Sequence, residues 1–485
     1  MAIIAQRPLF DWQQIEADSD INRLMLVLSS LPDEVLMRAL EKLRDKGRDD
    51  YPVRANWNAL VAGIVYQHPN AATLLRELRR NAQLRQACGF DLTLGAKAVP
   101  SDDAFGRFLV AVIAQQPLVL SMFDVLVKQL GELLPDLGRK LAADSKAIQS
   151  AGKPQKKSTE TEPTDESPSE PAKTPAVEPP QADKEKDTDR RRESDADWGV
   201  KSYHGTRADG TMWKKVVTWF GFKLHLLVDS TYEMPLGFKL TKASTSDSPE
   251  LLPLVEQLKT KHPVISARAK ELAADKGYDS AENKGGLFDT YGIKPLIDHR
   301  LMWKDEPEKP RPLFANRADV FLYDEKGNVF CQCPTEWKGK DEVRPMAFVG
   351  FEKDRMTLKY QCPAAYAGFK CIGRAQCERL APLGVGANGR VLRVPLDRDR
   401  RIFTPIARHT DKWEKAYDCR TAVERVNSRI DRVLGFEQHT IRGLAKMETR
   451  VTLALVVTLA MAVGRIKANQ ADLMRSMTAP VRQAA

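Results

Sequence analysis

Residues 270–280 read Lys-Glu-Leu-Ala-Ala-Asp-Lys-Gly-Tyr-Asp-Ser. A short apolar run with small residues ends in Asp275. Gly277 then permits a sharp turn, and Ser280 is placed to start a helix. The same tetrapeptide, Leu-Ala-Ala-Asp, recurs at residues 141–144 inside GRKLAADSKAI. Small residues let neighbouring backbones approach and leave each carboxylate at or near a strand end. An Asp after a strand is usually a turn former, so the order of elements around these two runs has to decide.

Working outward, that order is regular. KVVTWFGFKLHLLVD, from Lys214, is a long strand whose second half partly alternates. Residues 230–234 read as a turn and PLGFKLTKA as the returning strand. SPELLPLVEQLKTK follows as a helix, with Ser248 as N-cap and Pro249 at its first position. Next come the strand ending at Asp275, a helix from about Ser280 to Tyr291, and the strand IKPLID. After an irregular stretch, a helix over 411–434 carries Glu424, and an apolar helix covers 449–466.

The flanks differ in character. Residues 1–135 carry apolar residues at spacings of three and four and form an N-terminal helical domain, read as DNA-binding. Arg76, Arg79 and Arg80 lie together there, and Ser101 precedes a helix start at Asp102 and Asp103. Residues 136–149 hold the first core strand. Residues 150–193 are rich in Pro, Ser, Thr, Glu and Lys with no aromatic, so they are expected to be a disordered linker insertion. The core proper spans 194–299. Residues 300–410 hold five of the seven cysteines and read as an inserted, mostly β or irregular subdomain. Residues 411–470 return to the core as helices, and 471–485 are expected to be a flexible tail.

This succession is the order of an α/β, ribonuclease H-like catalytic core with a Cys-rich insertion between the fifth strand and the catalytic helix. There the first acid sits on the first strand, the second on or just after the fourth, and the third on a late helix. Asp144, Asp275 and Glu424 take those places. Converging carboxylates repel unless a cation joins them, and hard oxygen ligands with open positions suit Mg2+ or Mn2+. Two such ions about 3.5–4 Å apart can activate an attacking oxygen and stabilise the leaving one in phosphoryl transfer. The first acid has alternatives: Asp195 or Asp197 in SDADWG, and Asp229 at the end of the long strand.

Tyr417-Asp418-Cys419-Arg420-Thr421-Ala422-Val423-Glu424 resembles the Y-(2)-R-(3)-E part of the YREK signature of cut-and-paste insertion-sequence DDE transposases. Spacings of three and four place Tyr417, Arg420 and Glu424 on one side of a helix. The resemblance implies that Glu424 is the third metal ligand and that Tyr417 and Arg420 contact DNA near the scissile phosphate. The signature's Lys would fall at 431, where this chain has Asp431, flanked by Arg429 and Arg432. The stretch around Asp275 resembles the family's second-Asp motif, and residues 221–225 with Asp229 resemble its long second strand, on which Lys223 is a candidate DNA contact. The family further implies double-stranded DNA as partner (terminal inverted repeats and target) and a homodimer on DNA. Two alternatives stand beside a transposase: a non-catalytic DNA-binding regulator derived from one, and a ribonuclease H-like nuclease without strand transfer.

Cys333, Cys362, Cys371 and Cys377 are candidate ligands for a structural Zn2+, because some relatives carry a comparable cluster; four thiolates suit that ion. From Arg374 to Arg442 the chain is strongly basic, as a DNA path requires, and Trp413 is a candidate to stack on a base. Over its 485 residues the chain carries 75 Lys and Arg against 65 Asp and Glu, a balance that favours a polyanionic partner. With 42 % hydrophobic and 29 % charged residues it is neither a disordered chain nor a coiled-coil rod. The N-terminus lacks a signal-peptide pattern. Residues 451–464 are apolar but shorter than the roughly 20 residues a bilayer needs. The expected setting is therefore a bacterial cytoplasm, associated with the nucleoid and without membrane partners, with reduced thiols.

Overall fold

The structure, a computed structural model, describes residues 19–45, 50–155, 192–207, 209–304, 309–314, 321–333, 342–371, 374, 375, 377, 386 and 389–482. Most of the segment expected to be disordered, 156–191, lies outside the described residues. Its two flanks meet: Lys153 and Arg192 form a β-bridge, and Glu193 N donates to Lys153 O at 3.0 Å.

The N-terminal region is helical: α1 (Ser19–Ser30), α2 (Glu34–Arg44), α3 (Val53–Val65), α4 (Ala71–Arg80), α5 (Ala82–Cys88), α6 (Asp102–Ala114) and α7 (Gln116–Leu133). Side-chain caps set several starts. Asn70 accepts from Thr73 N at 2.9 Å and Ser101 from Ala104 N at 3.2 Å, each such cap contributing about 1 kcal/mol.

A mixed sheet follows, made of β1 (Lys140–Gln149), β2 (Asp197–Thr206), β3 (Met212–Asp229), β4 (Met234–Lys242), β5 (Glu271–Ala274) and β6 (Lys294–Ile297). Its order is β2-β3-β1-β5-β6, with β4 also paired to β3. β1 is antiparallel to β3 and parallel to β5, and β5 is parallel to β6. β2 pairs with residues 212–221 of β3, and β4 with residues 222–229. Helices α8 (Leu251–Lys261), α9 (Pro263–Arg268) and α10 (Ala281–Asp289) fill the connections. Ser248 does not cap α8. It opens a short 3-10 turn, Ser248–Glu250, and accepts instead from Asn283 Nδ2 at 3.0 Å.

Between β6 and the late helices lie two small antiparallel sheets. One is β7 (Arg311–Pro312), β8 (Phe321–Tyr323), β9 (Val329–Cys333) and β10 (Glu342–Pro345); the other is β11 (Ala347–Glu352), β12 (Thr357–Gln361) and β13 (Val391–Pro395). They share a core of their own around Leu358, Tyr360, Val394 and Phe403.

The helix expected over 411–434 is broken. α11 (Asp411–Tyr417) and α12 (Thr421–Arg432) are joined by a 3-10 turn over Asp418–Arg420. α13 (Leu444–Lys467) is longer than its apolar stretch suggested. By length and composition it could cross a membrane, yet 83 % of its most apolar window is buried in this fold. It packs against α1 and α7, so the N-terminal helices and the sheet share one continuous hydrophobic core. The segment expected to be a flexible tail is docked through residue 482. Arg465, fully buried, donates to Pro480 O at 2.9 Å, and Arg23 donates to Met477 O at 2.8 Å. A buried guanidinium needs acceptors, and the chain end supplies them.

Candidate functional site

β1 and β5 lie side by side with Ala143 opposite Ala274. Asp144 is the next residue within β1, which runs on to Gln149, and Asp275 is the first residue beyond β5, so the two carboxylates neighbour one another where β5 ends. Leu141, Ala142, Ala143, Leu272, Ala273 and Ala274 are all buried; the repeated tetrapeptide covers the buried stretch over which the two parallel strands pair. Asp275 caps the 3-10 turn Lys276–Tyr278, accepting from Gly277 N at 2.7 Å. A Cβ on residue 277 would fall 2.7 Å from Asp275 Oδ1, so a larger residue here would push the carboxylate out of this close approach.

Asp144 Oδ1 accepts from Ser145 N at 2.8 Å. Burial first, and the charge of Asp275 second, push its carboxyl up to about 6. Asp247, just after β4, adds to the repulsion, and Lys201 of β2 relieves part of it. Beneath the acids lies Tyr278, 1 % exposed. Its hydroxyl sits beside Ser145 without a hydrogen bond of ordinary geometry. Burial, then Asp144, Asp247 and Asp275, raise that hydroxyl well above its ordinary range.

Asp247 is a neighbour the sequence did not single out. Its Oδ1 lies 3.1 Å from Lys223 Nζ and 3.9 Å from Nδ1 of the buried His225. Lys223 also donates to Thr245 O at 2.7 Å. The candidate DNA contact Lys223 is thus largely buried and occupied within the fold. In sequence, Asp247 in STSDSP looks like any polar residue before a helix, and no spacing marks it.

Glu424 sits on α12, which packs against β1 and β3. Its side chain is half exposed and accepts from Arg420 Nη1 at 2.5 Å. Arg420 in turn is close enough to feel the charge of Asp144. The arginine thus pairs with the third acid while feeling the first. Among the described residues, no three His, Cys, Asp or Glu side chains are grouped to hold a metal ion. Asp144 and Asp275 fit a divalent cation as a hard-oxygen pair whose mutual repulsion a cation would relieve; Glu424 does not join them in this arrangement.

The alternative first acids are engaged elsewhere. Asp195 Oδ2 accepts from Leu444 N at 2.7 Å at the start of α13. Asp197 holds Ser244 N and Oγ at 2.8 and 2.5 Å. Asp229 is buried and ties the turn after β3, accepting from Tyr232 N at 2.6 Å and Gly138 N at 2.8 Å.

Trp413 is not an exposed stacking platform. It is 2 % exposed in a small cluster with Ala273, Leu296 and Ile406. Tyr417 stacks on it at 4.5 Å, and the Arg408 guanidinium lies 3.8 Å over its ring. Burial of Tyr417 pushes its hydroxyl up to about 12. Arg429 is bound inside the protein: it donates to Glu233 Oε2 at 2.6 Å and Glu233 O at 3.0 Å. Arg432 is exposed. Asp431, where the signature calls for Lys, is paired with Lys146 of β1. Much of the basic stretch is neutralised by acids in the same way, Arg393 by Glu352, Arg400 by Asp289 and Arg408 by Asp298.

Cys362 and Cys371 lie within electrostatic reach of Cys377. Burial raises the Cys377 thiol, Arg390 lowers it, and the other two thiols raise it further. Cys331 also accepts from Arg390, Nη1 at 3.9 Å, and Cys371 accepts from Arg344 Nη1 at 3.7 Å. The side chain of Cys333 lies outside the described residues.

The fold is mixed α/β, with a pair of neighbouring carboxylates where β5 ends beside β1. The family described as Transposase DDE domain matches residues 188–460. The chain belongs to that family, whose substrate is DNA and whose members generally use divalent metals. No curated protein matches the chain.

Proposed function

We propose that the protein is a cut-and-paste insertion-sequence transposase that cleaves the ends of its element and joins them to target DNA. The observation that carries this reading is the placement of Asp144, inside β1, beside Asp275, where the parallel β5 ends. The path β4-β3-β1-β5-β6 supports a ribonuclease H-like core. The partial YREK signature supports the insertion-sequence assignment, with Lys146 opposite Asp431 as a reversed charge pair.

Asp144, Asp275 and Glu424 are the residues to hold two Mg2+ or Mn2+ ions, which when bound activate the attacking oxygen and stabilise the leaving one. For this, Glu424 must leave Arg420. The freed Arg420 guanidinium then has its donors available for a phosphate oxygen. Tyr417, kept protonated by burial, can donate to the same phosphate. In the first step a water oxygen bonds to phosphorus and the 3′ oxygen leaves. In the second, that 3′-OH attacks a target phosphodiester, whose own 3′ oxygen leaves. A homodimer across two ends and a cytoplasmic, nucleoid-associated site of action belong to the same proposal, as does structural zinc on Cys333, Cys362, Cys371 and Cys377.

The test is cleavage of labelled duplex carrying the element's terminal inverted repeats, with Mg2+ or Mn2+ and with EDTA. Metal-dependent nicking followed by joining of precut ends to a plasmid is expected. Nicking without joining makes the protein a nuclease, and binding without nicking makes it a regulator.

A further inference from the structure

β2 and the first half of β3 run on beyond the rest of the sheet as a two-stranded ribbon. Seven residue pairs, from Val200–Thr218 to Thr206–Met212, continue the ladder, a length of roughly 20 Å. The side chains described there are exposed almost throughout. An isolated ribbon is marginal in water, and this one carries its own braces. A Cβ on Gly199 would meet the Trp219 ring at 2.3 Å, and one on Gly205 the Trp213 ring at 2.5 Å. Each tryptophan lies over the glycine opposite it, which covers backbone that would otherwise face solvent on both sides.

The charge on the ribbon is one-sided. Lys201, Arg207, Lys214 and Lys215 are exposed. Asp209, at the tip, is turned inward to Thr211 Oγ1 and N at 2.6 and 2.9 Å. Among the described residues, neither Lys214 nor Lys215 has a carboxylate partner. Register places Lys214 on one face and Lys201 and Lys215 on the other. Exposed Val200, Met212 and Val216 share the first of these faces. A dry contact with a second copy of the chain on either face would therefore bury an unpaired ammonium, at a cost of several kcal/mol. A polyanion neutralises those charges instead. A two-stranded ribbon fits the major groove of duplex DNA. Lys201 at the ribbon's root lies within electrostatic reach of Asp144, so a duplex held on the ribbon leads toward the acid pair.

We infer that the ribbon over residues 200–218 is a DNA-holding arm that grips the duplex flanking the scissile phosphate. The inference rests on the DNA-cleaving reading above. It is tested with Arg207→Gln, Lys214→Gln and Lys215→Gln combined, all exposed and outside the catalytic machinery. Binding of a 30-base-pair duplex is followed by fluorescence anisotropy in EDTA across a salt series, with mass measured by light scattering. The variant is expected to bind about tenfold more weakly near physiological salt, with a log K against log salt slope shallower by about 2–3, at unchanged mass. An unchanged affinity and slope, with the wild type binding and nicking DNA, overturns the arm and leaves the functional reading intact. A fall in mass that accompanies the binding loss assigns the ribbon to a second copy of the chain and equally overturns the arm. A wild type that binds no duplex overturns the functional reading itself.

Discussion

Asp144 and Asp275 follow directly on Ala143 and Ala274, which are register partners on parallel strands. This relationship explains why burial and like charge push the Asp144 carboxyl up to about 6. A repulsive, largely buried pair destabilises the fold and is kept where a cation uses it. Asp144→Asn is therefore expected to reduce metal-dependent cleavage by at least about a thousandfold. In EDTA its melting temperature should be equal to or above that of the wild type, because one of two repelling charges is gone. Mg2+ should stabilise the wild type and not the variant. Thermal melts with and without Mg2+ check this; a Tm well below the wild type would mark Asp144 as a structural acid.

Glu424 is held by Arg420 rather than by the acid pair. Glu424→Ala is expected to abolish cleavage of end-containing duplex in Mg2+ while duplex binding stays within about twofold. Losing one exposed carboxylate removes no phosphate contact. Gel-shift and nicking assays on the same substrate check it. Full cleavage by this variant would remove Glu424 from the mechanism.

The parts of the fold that could be read in the sequence are those where burial leaves a pattern. The repeated Leu-Ala-Ala-Asp marks two buried strand stretches that pair, the second of them ending at its Asp, and Ser280 caps α10 through Asn283 N at 3.0 Å as its position suggests. β2 left no such pattern, because its outer half is exposed on both faces and two of its residues are glycines under tryptophans. Trp413 was expected to face DNA because sequence cannot show that Tyr417 and Arg408 cover it. The break at Asp418–Arg420 lies inside a run with helical spacing and no Gly or Pro. Asp247 gained its place only through the β3–β4 pairing, which carries Lys223 and His225 to it. The basic stretch looked like a DNA surface because the acids that neutralise it lie far away in sequence.

Cys362 and Cys371 lie within electrostatic reach of Cys377, although the three are not grouped to hold an ion in this arrangement. Protein purified without chelator is expected to carry about one zinc per chain by elemental analysis, with tetrahedral thiolate coordination accounting for it. Cys371→Ser should lose the zinc and lower the melting temperature of the β7–β13 region. Zinc-free wild-type protein with an unchanged melt would leave these cysteines as free thiols.

Glu233 is 4 % exposed and sits at a positive φ of 56° in the β3–β4 turn. Burial alone would raise its carboxyl, but Arg429 and Arg425 hold it below the usual range. They bond its two oxygens at 2.6 Å each, and Arg475 approaches to 3.4 Å. The turn thereby anchors α12, the helix of Glu424. Glu233→Gln leaves partly buried guanidinium groups without a counter-charge and should cost about 3 kcal/mol. Denaturant unfolding measures it. Cleavage should fall with it, through the loosened helix, and recover at low temperature or in a stabilising osmolyte.

Asp279 is fully buried, paired with Lys284 Nζ at 2.7 Å and with Arg401 Nη1 at 3.1 Å. Arg401 reaches on to Glu325 at 2.7 Å, so this acid joins α10 to the β7–β13 region. Burial works to raise the Asp279 carboxyl, but His299 and Lys284 overcome it and hold it far below the ordinary range. Burial also lowers Lys284 to about 8, against the pull of Asp279. A carboxyl depressed on folding stabilises fully above its unfolded pKa of about 4. That contribution is lost as pH falls below 4, because the unfolded chain takes up the proton first. Asp279→Asn should therefore cost about 3 kcal/mol at pH 7, with the gap to wild type narrowing between about pH 4 and 2. Urea midpoints at pH 7, 5 and 3 measure the gap. A difference that stays constant across that range would mean the pair acts through shape alone, with Asn filling the site poorly and the charge contributing nothing.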